Sequence, residues 1–280
     1  MNFAKMEGTG NDFVLIDARN LERDWSSLAR TICERHTGVG ADGLLLLLPS
    51  TRADIRLRMF NPDGTEAEAC GNGLRCVARY SSDQGIVGKT EFTIETLAGT
   101  RLARVNVPGS PQVDMGAPIL DAASVPVTVR PGTDIASPLI DHPVIVDGLQ
   151  LKISCISMGN PHAVCFLEKP VQDFPLHQAG PKVERHQMFP NRVNFEIANL
   201  TAPGEIRARV WERGAGETLS CGSGACAIAV VSRLKGLVQG PVEIRLPGGS
   251  LTVEWEPGSN VLLSGPARAV FHGTWKEEMP

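Results

Sequence analysis

The sequence lacks the features that mark nucleic-acid-binding, membrane-spanning and disulfide-stapled proteins. It has no basic run and a formal net charge of −4, so neither a nucleic-acid nor a membrane-surface partner is expected. Its apolar runs, such as Leu44–Leu48, are far too short to cross a bilayer. Because the first residues do not resemble a signal peptide, we expect a cytoplasmic protein. The odd number of cysteines, seven in 280 residues, favours free thiols over a disulfide framework.

Two similar cysteine motifs are present, CGNGLRC at Cys70–Cys76 and CGSGAC at Cys221–Cys226. In each motif a cysteine precedes Gly-x-Gly and a segment typical of a helix. The backbone N–H groups at a helix start bind anions, and their partial positive charge stabilises a thiolate. We therefore expect Cys70 and Cys221 to be exposed thiols with lowered pKa values, each beside a site for a carboxylate.

The two motifs belong to a longer internal repeat. The alternating strand IRLRMF (Ile55–Phe60) recurs as IRARVW (Ile206–Trp211), 151 positions later. The pair Gly10-Asn11 recurs as Gly159-Asn160, and a predicted helix at Asp24–His36 has a counterpart near residue 184. Each half thus predicts the order strand, strand, helix, strand, strand, helix, hairpin. The hairpin of the first half is predicted over 92–107, and the seam between the halves over 108–143.

This repeat predicts a mixed α/β fold of two pseudo-symmetric domains, with the ligand in the cleft between them. Two opposed sulfurs, one thiolate and one thiol, would remove a proton from one face of a carbon and return one to the other. A dithiol redox protein and a non-catalytic amino-acid-binding protein are the alternatives from other classes. We expect no cofactor, because this proton exchange needs none, and no metal, because the cysteine spacings fit zinc poorly. We expect the remaining cysteines to be small buried side chains: Cys33, Cys76, Cys155, Cys165 and Cys226.

Five segments together resemble the diaminopimelate epimerase family: MEGTGNDFV, FNPDGTEAEACGNGLRC, SMGNPHAV, RVNFEI and ERGAGETLSCGSGACA. The resemblance runs through almost the whole chain. It implies two domains, 1–118 and 119–266, each a β-sheet or barrel wrapped around a central helix, with a tail (267–280) that crosses back to the first domain. It also implies a cofactor-independent epimerisation of LL- to meso-diaminopimelate in lysine biosynthesis, and a homodimer. A related racemase or isomerase of the same superfamily is the nearest alternative.

The resemblance also assigns roles to individual residues. Cys221 would be the base for the LL substrate and Cys70 the acid on the other face. His162 and Glu212 would tune the protonation of the thiols and steady the reacting ammonium group, so that Glu212 also binds substrate, and Asn11 would contact the same end. The reacting carboxylate would bind the N–H groups of four residues: Gly71, Asn72, Gly222 and Ser223. The distal end of the substrate would bind Asn61, Asn160, Asn194 and Arg213, where a guanidinium suits a bidentate grip on a carboxylate.

Some of these residues also have plainer interpretations. Asn11 and Asn160 would be ordinary turn residues, and Glu212 and Arg213 a solvated charge pair. His162 would simply pack beside its neighbours. One position departs from the family, because some members have a substrate-contacting glutamine where this chain has Gly43. A backbone group or a water must then replace that contact, or the contact is absent.

Overall fold

The structure is a computed structural model that describes residues 1–67, 70–106, 109–128 and 137–276. The chain divides into two compact units, Met1–Asp114 with Ser264–Pro280, and Met115–Leu263. The domain boundaries expected after residues 118 and 266 stay a prediction. The last residue of the hairpin expected over 92–107, residues 108 and 129–136 of the seam expected over 108–143, and the last four of the expected tail lie outside the described residues.

The first unit is built on one mixed sheet. Its spatial order is β18-β1-β2-β3-β4-β6-β7-β8, in which β2–β3 and β4–β6 are parallel and the other pairs antiparallel. The strands are β1 (Asn2–Gly8), β2 (Asn11–Asp17), β3 (Gly43–Leu48), β4 (Ile55–Phe60), β5 (Glu66–Ala67), β6 (Glu91–Thr96), β7 (Gly99–Arg104), β8 (Gln112–Asp114) and β18 (Arg268–Thr274). The short β5 pairs with the end of β4.

Two helices cover this sheet in different ways. Helix α1 (Trp25–Ile32) is amphipathic and buries Trp25, Leu28, Ala29 and Ile32 against the outer face. Helix α2 (Gly71–Asp83) packs against strands from both ends of the sheet, β1 to β4 and also β7, β8 and β18. The sheet therefore wraps around α2, and most of the first two turns of that helix are buried.

The second unit repeats this arrangement. Its spatial order is β9-β10-β11-β12-β13-β15-β16, in which β11–β12 and β13–β15 are parallel. The strands are β9 (Leu139–Val146), β10 (Leu149–Ser157), β11 (Pro161–Phe166), β12 (Asn194–Ala202), β13 (Glu205–Glu212), β14 (Gly216–Thr218), β15 (Val242–Leu246) and β16 (Gly249–Glu254). Strand β17 (Leu262–Ser264) spans the point in the sequence at which the second unit ends. Helix α3 (Leu176–Glu184) takes the place of α1, and α4 (Gly222–Leu234) takes the place of α2.

The strand registers allow single positions of the two halves to be matched. Phe13 of β2 lies opposite Gly43 of β3, and His162 of β11 lies opposite Asn194 of β12. Position 13 therefore corresponds to 162, and position 43 to 194. By the same steps Leu45 corresponds to Glu196. The predicted duplicated α/β fold, with a sheet around a central helix in each copy, is confirmed.

Details of the elements differ from the sequence prediction. Helix α1 ends at Ile32 rather than His36, because the Glu34 carboxylate accepts the backbone N–H groups of His36 and Thr37 and closes a turn there. The edge strands β9 and β18 and the short strands β5 and β14 were not predicted. Strand β18 lies antiparallel to β1, and the Met1 amino group donates to the Trp275 carbonyl at 2.8 Å. None of the helices described is long and apolar enough to span a membrane.

Candidate active site

Cys70 precedes the first residue of α2 and is half-buried. Its extended backbone (φ −140°, ψ 123°) places it at the N-cap position, and its carbonyl accepts the Leu74 N–H at 2.8 Å. The next N–H groups, those of Gly71 and Asn72, begin the helix and have no partner within it. The sequence thus places a thiol beside free backbone donors, as expected from Gly-x-Gly.

Asn11 and Asn72 form the polar surroundings of Cys70. The Cys70 thiol donates to Asn11 Oδ1 at 3.9 Å, and Asn72 Nδ2 donates to the same oxygen at 3.2 Å. Asn11 Nδ2 donates in turn to Asp42 Oδ2 at 2.7 Å, and Arg35 fixes that carboxylate. Because Asp42 accepts only, the Asn11 oxygen must face the thiol.

A fully buried arginine lies behind this asparagine pair. Arg75 has no exposed side-chain surface, and its Nη2 donates to Asn72 Oδ1 at 2.9 Å and to Thr9 Oγ1 at 3.2 Å. Thr9 occupies the left-handed region (φ 55°), which is strained for a β-branched residue. We call Cys70, Asn11, Asn72, Thr9 and Arg75 the first thiol site.

Cys221 occupies the equivalent N-cap position of α4, but it is only 5% exposed. Burial raises the pKa of Cys221 well above its usual range, and the carboxylates of Glu212 and Glu196 raise it further. The Ser223 hydroxyl and the Gly224 N–H act in the opposite direction and do not compensate. The expectation of an exposed thiol with a lowered pKa is therefore wrong for Cys221, because desolvation outweighs the helix terminus.

A chain of polar side chains leads away from Cys221. Its Sγ lies 3.5 Å from Ser223 Oγ, and Asn160 Nδ2 donates to that hydroxyl at 3.5 Å. Asn160 Oδ1 lies 3.0 Å from His162 Nε2, and His162 Nδ1 lies 2.7 Å from Glu196 Oε1. His162 and Glu196 have no exposed side-chain surface. We call these five residues the second thiol site.

Glu212 ends β13, and Arg213 follows it in the same unit. Thr218 Oγ1 donates to Glu212 Oε1 at 2.5 Å, and Asn194 Oδ1 accepts the Arg213 N–H at 2.9 Å. Asn194 Nδ2 donates to the Pro161 carbonyl at 2.9 Å, so this amide ties the start of β11 to the Arg213 loop. Asn194 is buried, and its side chain has a structural partner on each side.

Two predicted positions of the first unit lie apart from these contacts. Asn61 follows β4, and its Nδ2 donates to Thr65 Oγ1 at 2.9 Å within its own loop. Gly43 opens β3, where a Cβ atom would lie 3.0 Å from the Phe60 carbonyl oxygen. A side chain at position 43 would thus require the neighbouring strand to shift.

All seven cysteines lie within the described residues, and none of them forms a disulfide. Burial raises the pKa of Cys33 and Cys165 to about 11 and that of Cys76 and Cys155 to about 12. Cys226 is fully buried as well. The interpretation of these five as packed side chains is confirmed. In the described parts of the chain, no group of three or more His, Cys, Asp or Glu residues is placed to hold a metal ion.

Sequence reasoning did not assign Arg75 or Glu196 to the site. Arg75 follows Cys70 by five residues, and a charged residue on the buried side of a glycine-rich helix start was a usable signal. Glu196 interrupts an apolar strand, NFEIA, at the position where the first half has Leu45. Alignment of the two halves, residue by residue, would have exposed that difference.

Comparison with known proteins identifies close relatives. The family model described as diaminopimelate epimerase matches residues 3–120 and 154–270. A diaminopimelate epimerase of Moorella thermoacetica is 47% identical over 280 residues, with 98% of each chain covered. A diaminopimelate epimerase of Methanococcus maripaludis is 43% identical over 280 residues, covering 98% of this chain and 99% of the relative.

Solved structures with the same fold are more distant in sequence. A hydroxyproline epimerase from Agrobacterium vitis matches with a TM-score of 0.70 at 16% identity, covering 98% of this chain and 91% of that one. A phenazine biosynthesis protein of the PhzF family from Bacillus anthracis matches with a TM-score of 0.67 at 18% identity, covering 98% of both chains. These similarities establish the fold.

Proposed function

This chain belongs to the diaminopimelate epimerase family, and on that premise we propose that it interconverts LL- and meso-diaminopimelate. The observation that carries the proposal is the pair of N-cap cysteines, Cys70 on α2 and Cys221 on α4. They occupy equivalent positions of a duplicated fold. A reaction that needs one proton donor and one acceptor on opposite faces of a carbon suits such a pair.

In the proposed reaction the Cys221 thiolate removes the α-proton of the LL substrate. The electron pair stays on the α-carbon as a carbanion-like species, and the Cys70 thiol gives its proton to the opposite face. Cys221 ends as a thiol and Cys70 as a thiolate, so the reverse reaction exchanges their roles. Electrostatic stabilisation of the reacting carboxylate then supplies most of the rate enhancement.

The helix termini and the polar side chains have complementary tasks in this proposal. The reacting carboxylate accepts from the backbone N–H groups of Gly71, Asn72, Gly222 and Ser223. Asn11 contacts the reacting end, and His162 and Glu212 influence the protonation of the thiols. Arg213 binds the distal carboxylate, together with Asn61, Asn160 and Asn194. The substrate is thereby selected for a second charged end.

The substrate itself would help to ionise Cys221. In the free protein burial and two carboxylates hold the pKa of Cys221 high. The α-ammonium group of a bound substrate adds a positive charge that offsets Glu212 and Glu196. Deprotonation of the thiol would therefore follow substrate binding, which keeps the buried thiol inert when no substrate is present.

The test is incubation with LL-diaminopimelate in heavy water. We expect deuterium at one α-carbon together with the appearance of the meso isomer, both followed by mass spectrometry and chiral chromatography. L-Proline in a parallel reaction distinguishes a racemase of the same superfamily. Without deuterium in either amino acid the epimerase proposal fails, and a dithiol redox or binding role takes its place.

We also propose that the protein acts in lysine biosynthesis in the cytoplasm, as a homodimer. The exposed side chains of Val270 and Phe271 on β18, 56% and 46% accessible, support an interface between copies. Sedimentation velocity at micromolar concentration tests the oligomeric state. A monomer at all concentrations would contradict it.

A further inference from the structure

Glu196 is a buried carboxyl group that contacts no substrate atom in the proposed mechanism. It lies on β12 with no exposed surface, and among the described residues its Oε2 has no hydrogen-bond partner. A Cβ atom on Gly224 would lie 3.0 Å from Glu196 Oε1, so this carboxyl sits directly against the first turn of α4. Burying a carboxyl in an apolar core is costly. The Glu196 carboxyl must therefore make a favourable contribution that offsets this cost.

The duplicated fold shows that the scaffold does not require a carboxyl here. The equivalent residue of the first unit is Leu45, whose Cδ2 lies 3.1 Å from the corresponding Cβ position of Gly73. The partner of Glu196, His162, corresponds to Phe13. The second unit thus has a hydrogen-bonded acid–imidazole pair where the first has an apolar pair.

Hydrogen-bond directions in the second thiol site follow from one another. Asn160 Nδ2 donates to Ser223, so Asn160 Oδ1 accepts and His162 Nε2 must carry a proton. The 2.7 Å contact of His162 Nδ1 with Glu196 Oε1 then holds one further proton. The pair has the same net charge whether that proton is on the carboxyl or on the imidazole. Burial raises the pKa of Glu196, and its bond to His162 opposes that shift.

The same assignment of donors and acceptors extends to Cys221 Sγ. Because Ser223 Oγ accepts from Asn160, its own O–H is available to donate to Cys221 Sγ, 3.5 Å away. If the imidazole turned over or changed tautomer, Nε2 would become an acceptor and repel Asn160 Oδ1. The amide would then reverse, Ser223 would donate to Asn160, and the Cys221 thiolate would lose a donor.

Building on the proposed function, we infer that Glu196 is a positioning residue that fixes the His162 imidazole with Nε2–H toward Asn160. Through Asn160 it directs the Ser223 hydroxyl at Cys221. A hydrogen bond to a charged group contributes enough for its loss to slow the reaction about tenfold to a hundredfold. The loss should appear in kcat, since the thiolate forms during the reaction, while KM changes less than about threefold.

The test compares Glu196→Gln with Glu196→Leu. The glutamine amide can donate to His162 Nδ1 and preserve the Nε2–H tautomer, so kcat should stay within about fivefold of the wild type. The leucine reproduces the residue of the first unit and leaves Nδ1 without a partner, so kcat should fall tenfold to a hundredfold. Ile197→Val, a conservative change at the next buried position, controls for core packing and should leave kcat unchanged.

A second measurement does not depend on epimerase activity or on the variants. Nitrogen-15 NMR of histidine-labelled wild-type protein reports the protonation of each ring nitrogen, and we expect a protonated His162 Nε2. An unprotonated Nε2 overturns the inference, as does wild-type kcat in the leucine variant or an equal loss in both variants. If the wild type epimerises nothing but Nε2 is protonated, the proposed function fails while the positioning of His162 stands.

Discussion

The first and second thiol sites have the same backbone arrangement, but the charged side chains around the two cysteines differ. Both place a cysteine at the N-cap of a buried helix, followed by glycine on either side of Asn72 or Ser223. Behind the first lies the buried cation of Arg75, and behind the second lies the His162–Glu196 pair. The Arg75 position corresponds to Cys226 in the second unit. Neither the buried cation nor the acid–imidazole pair therefore recurs in the other copy. The two copies therefore place a cysteine at the same position of a helix N-terminus, and the side chains around each cysteine make the two thiols unequal.

The largest expected effect tests whether both thiols are needed. Cys70→Ala and Cys221→Ala should each lower epimerisation at least about a hundredfold, because removal of a general acid or base costs about 10² to 10⁴ in rate. Cys165→Ala is the matched control, since that thiol is buried in β11 and should affect stability only. Assays of meso and LL formation in both directions check this. Turnover near the wild-type rate in either catalytic variant would rule out the two-base scheme.

A second comparison uses the equivalent glycines Gly73 and Gly224. An added Cβ at Gly224 would lie 3.0 Å from Glu196 Oε1 and also 3.4 Å from Cys221 Sγ, whereas at Gly73 it would meet Leu45 Cδ2 at 3.1 Å and Met59 Sδ at 3.3 Å. Gly224→Ala should displace the carboxyl and lower kcat about tenfold, the value of one charge-assisted hydrogen bond.

Gly73→Ala should stay within about threefold of wild-type kcat, because the apolar chain ends can shift and alanine favours the helix. Equal kcat values for the two alanine variants would show that the acid–imidazole pair makes no difference between the sites.

Arg75 is expected to contribute mainly to stability. Arg75→Met removes the donors to Asn72 and Thr9, and unsatisfied buried groups of this kind cost about 1–3 kcal/mol. Arg79→Met in the same helix removes a partly exposed ion pair with Asp83 and an exposed 3.4 Å hydrogen bond to the Gly109 carbonyl, and should cost less than about 1 kcal/mol. Urea denaturation of both variants measures the difference. Equal losses in the free energy of unfolding would mean that the buried cation does not support the first site.

The smallest expected effect concerns the acid stability of the first unit. Burial would raise the pKa of Asp12, but hydrogen bonds from Arg35 and Lys5 outweigh it and lower the pKa to about 2. The stabilisation is therefore complete above about pH 4 and is lost as the pH falls toward 2, by about 1 kcal/mol after allowance for solvent screening.

Asp12→Asn should remove this part of the acid sensitivity in thermal unfolding measured from pH 5 to pH 2. The equivalent residue of the second unit is Pro161, which does not titrate. An unchanged pH profile in the variant would assign the acid transition to other carboxylates.

The sequence was informative wherever a local rule decides the outcome. Alternation in Ile55–Phe60 predicted β4, and Gly-x-Gly after Cys70 and Cys221 predicted two helix starts. Thiol acidity was not predictable in this way, because it depends on burial by residues distant in the chain. Cys221 is the clear case, since Glu196 and Glu212 reach it only through the folded sheet.

The hydrogen-bond partners of buried side chains were equally unpredictable from the sequence. Nothing local to Arg75 indicates that its guanidinium bonds to Thr9, 66 positions earlier. The edge strands β9 and β18 also needed the fold, because an edge position is a property of the sheet and not of the strand.

The place of β18 has a consequence for synthesis on the ribosome. The unit Met115–Leu263 is one continuous stretch and is complete before β18 emerges. The other unit, made first, keeps the edge of β1 open until Arg268–Thr274 is translated and pairs with it. During that interval an unpaired sheet edge is exposed in the nascent chain, a known point of entry for aggregation. Translation through the second unit therefore sets how long β1 must remain protected.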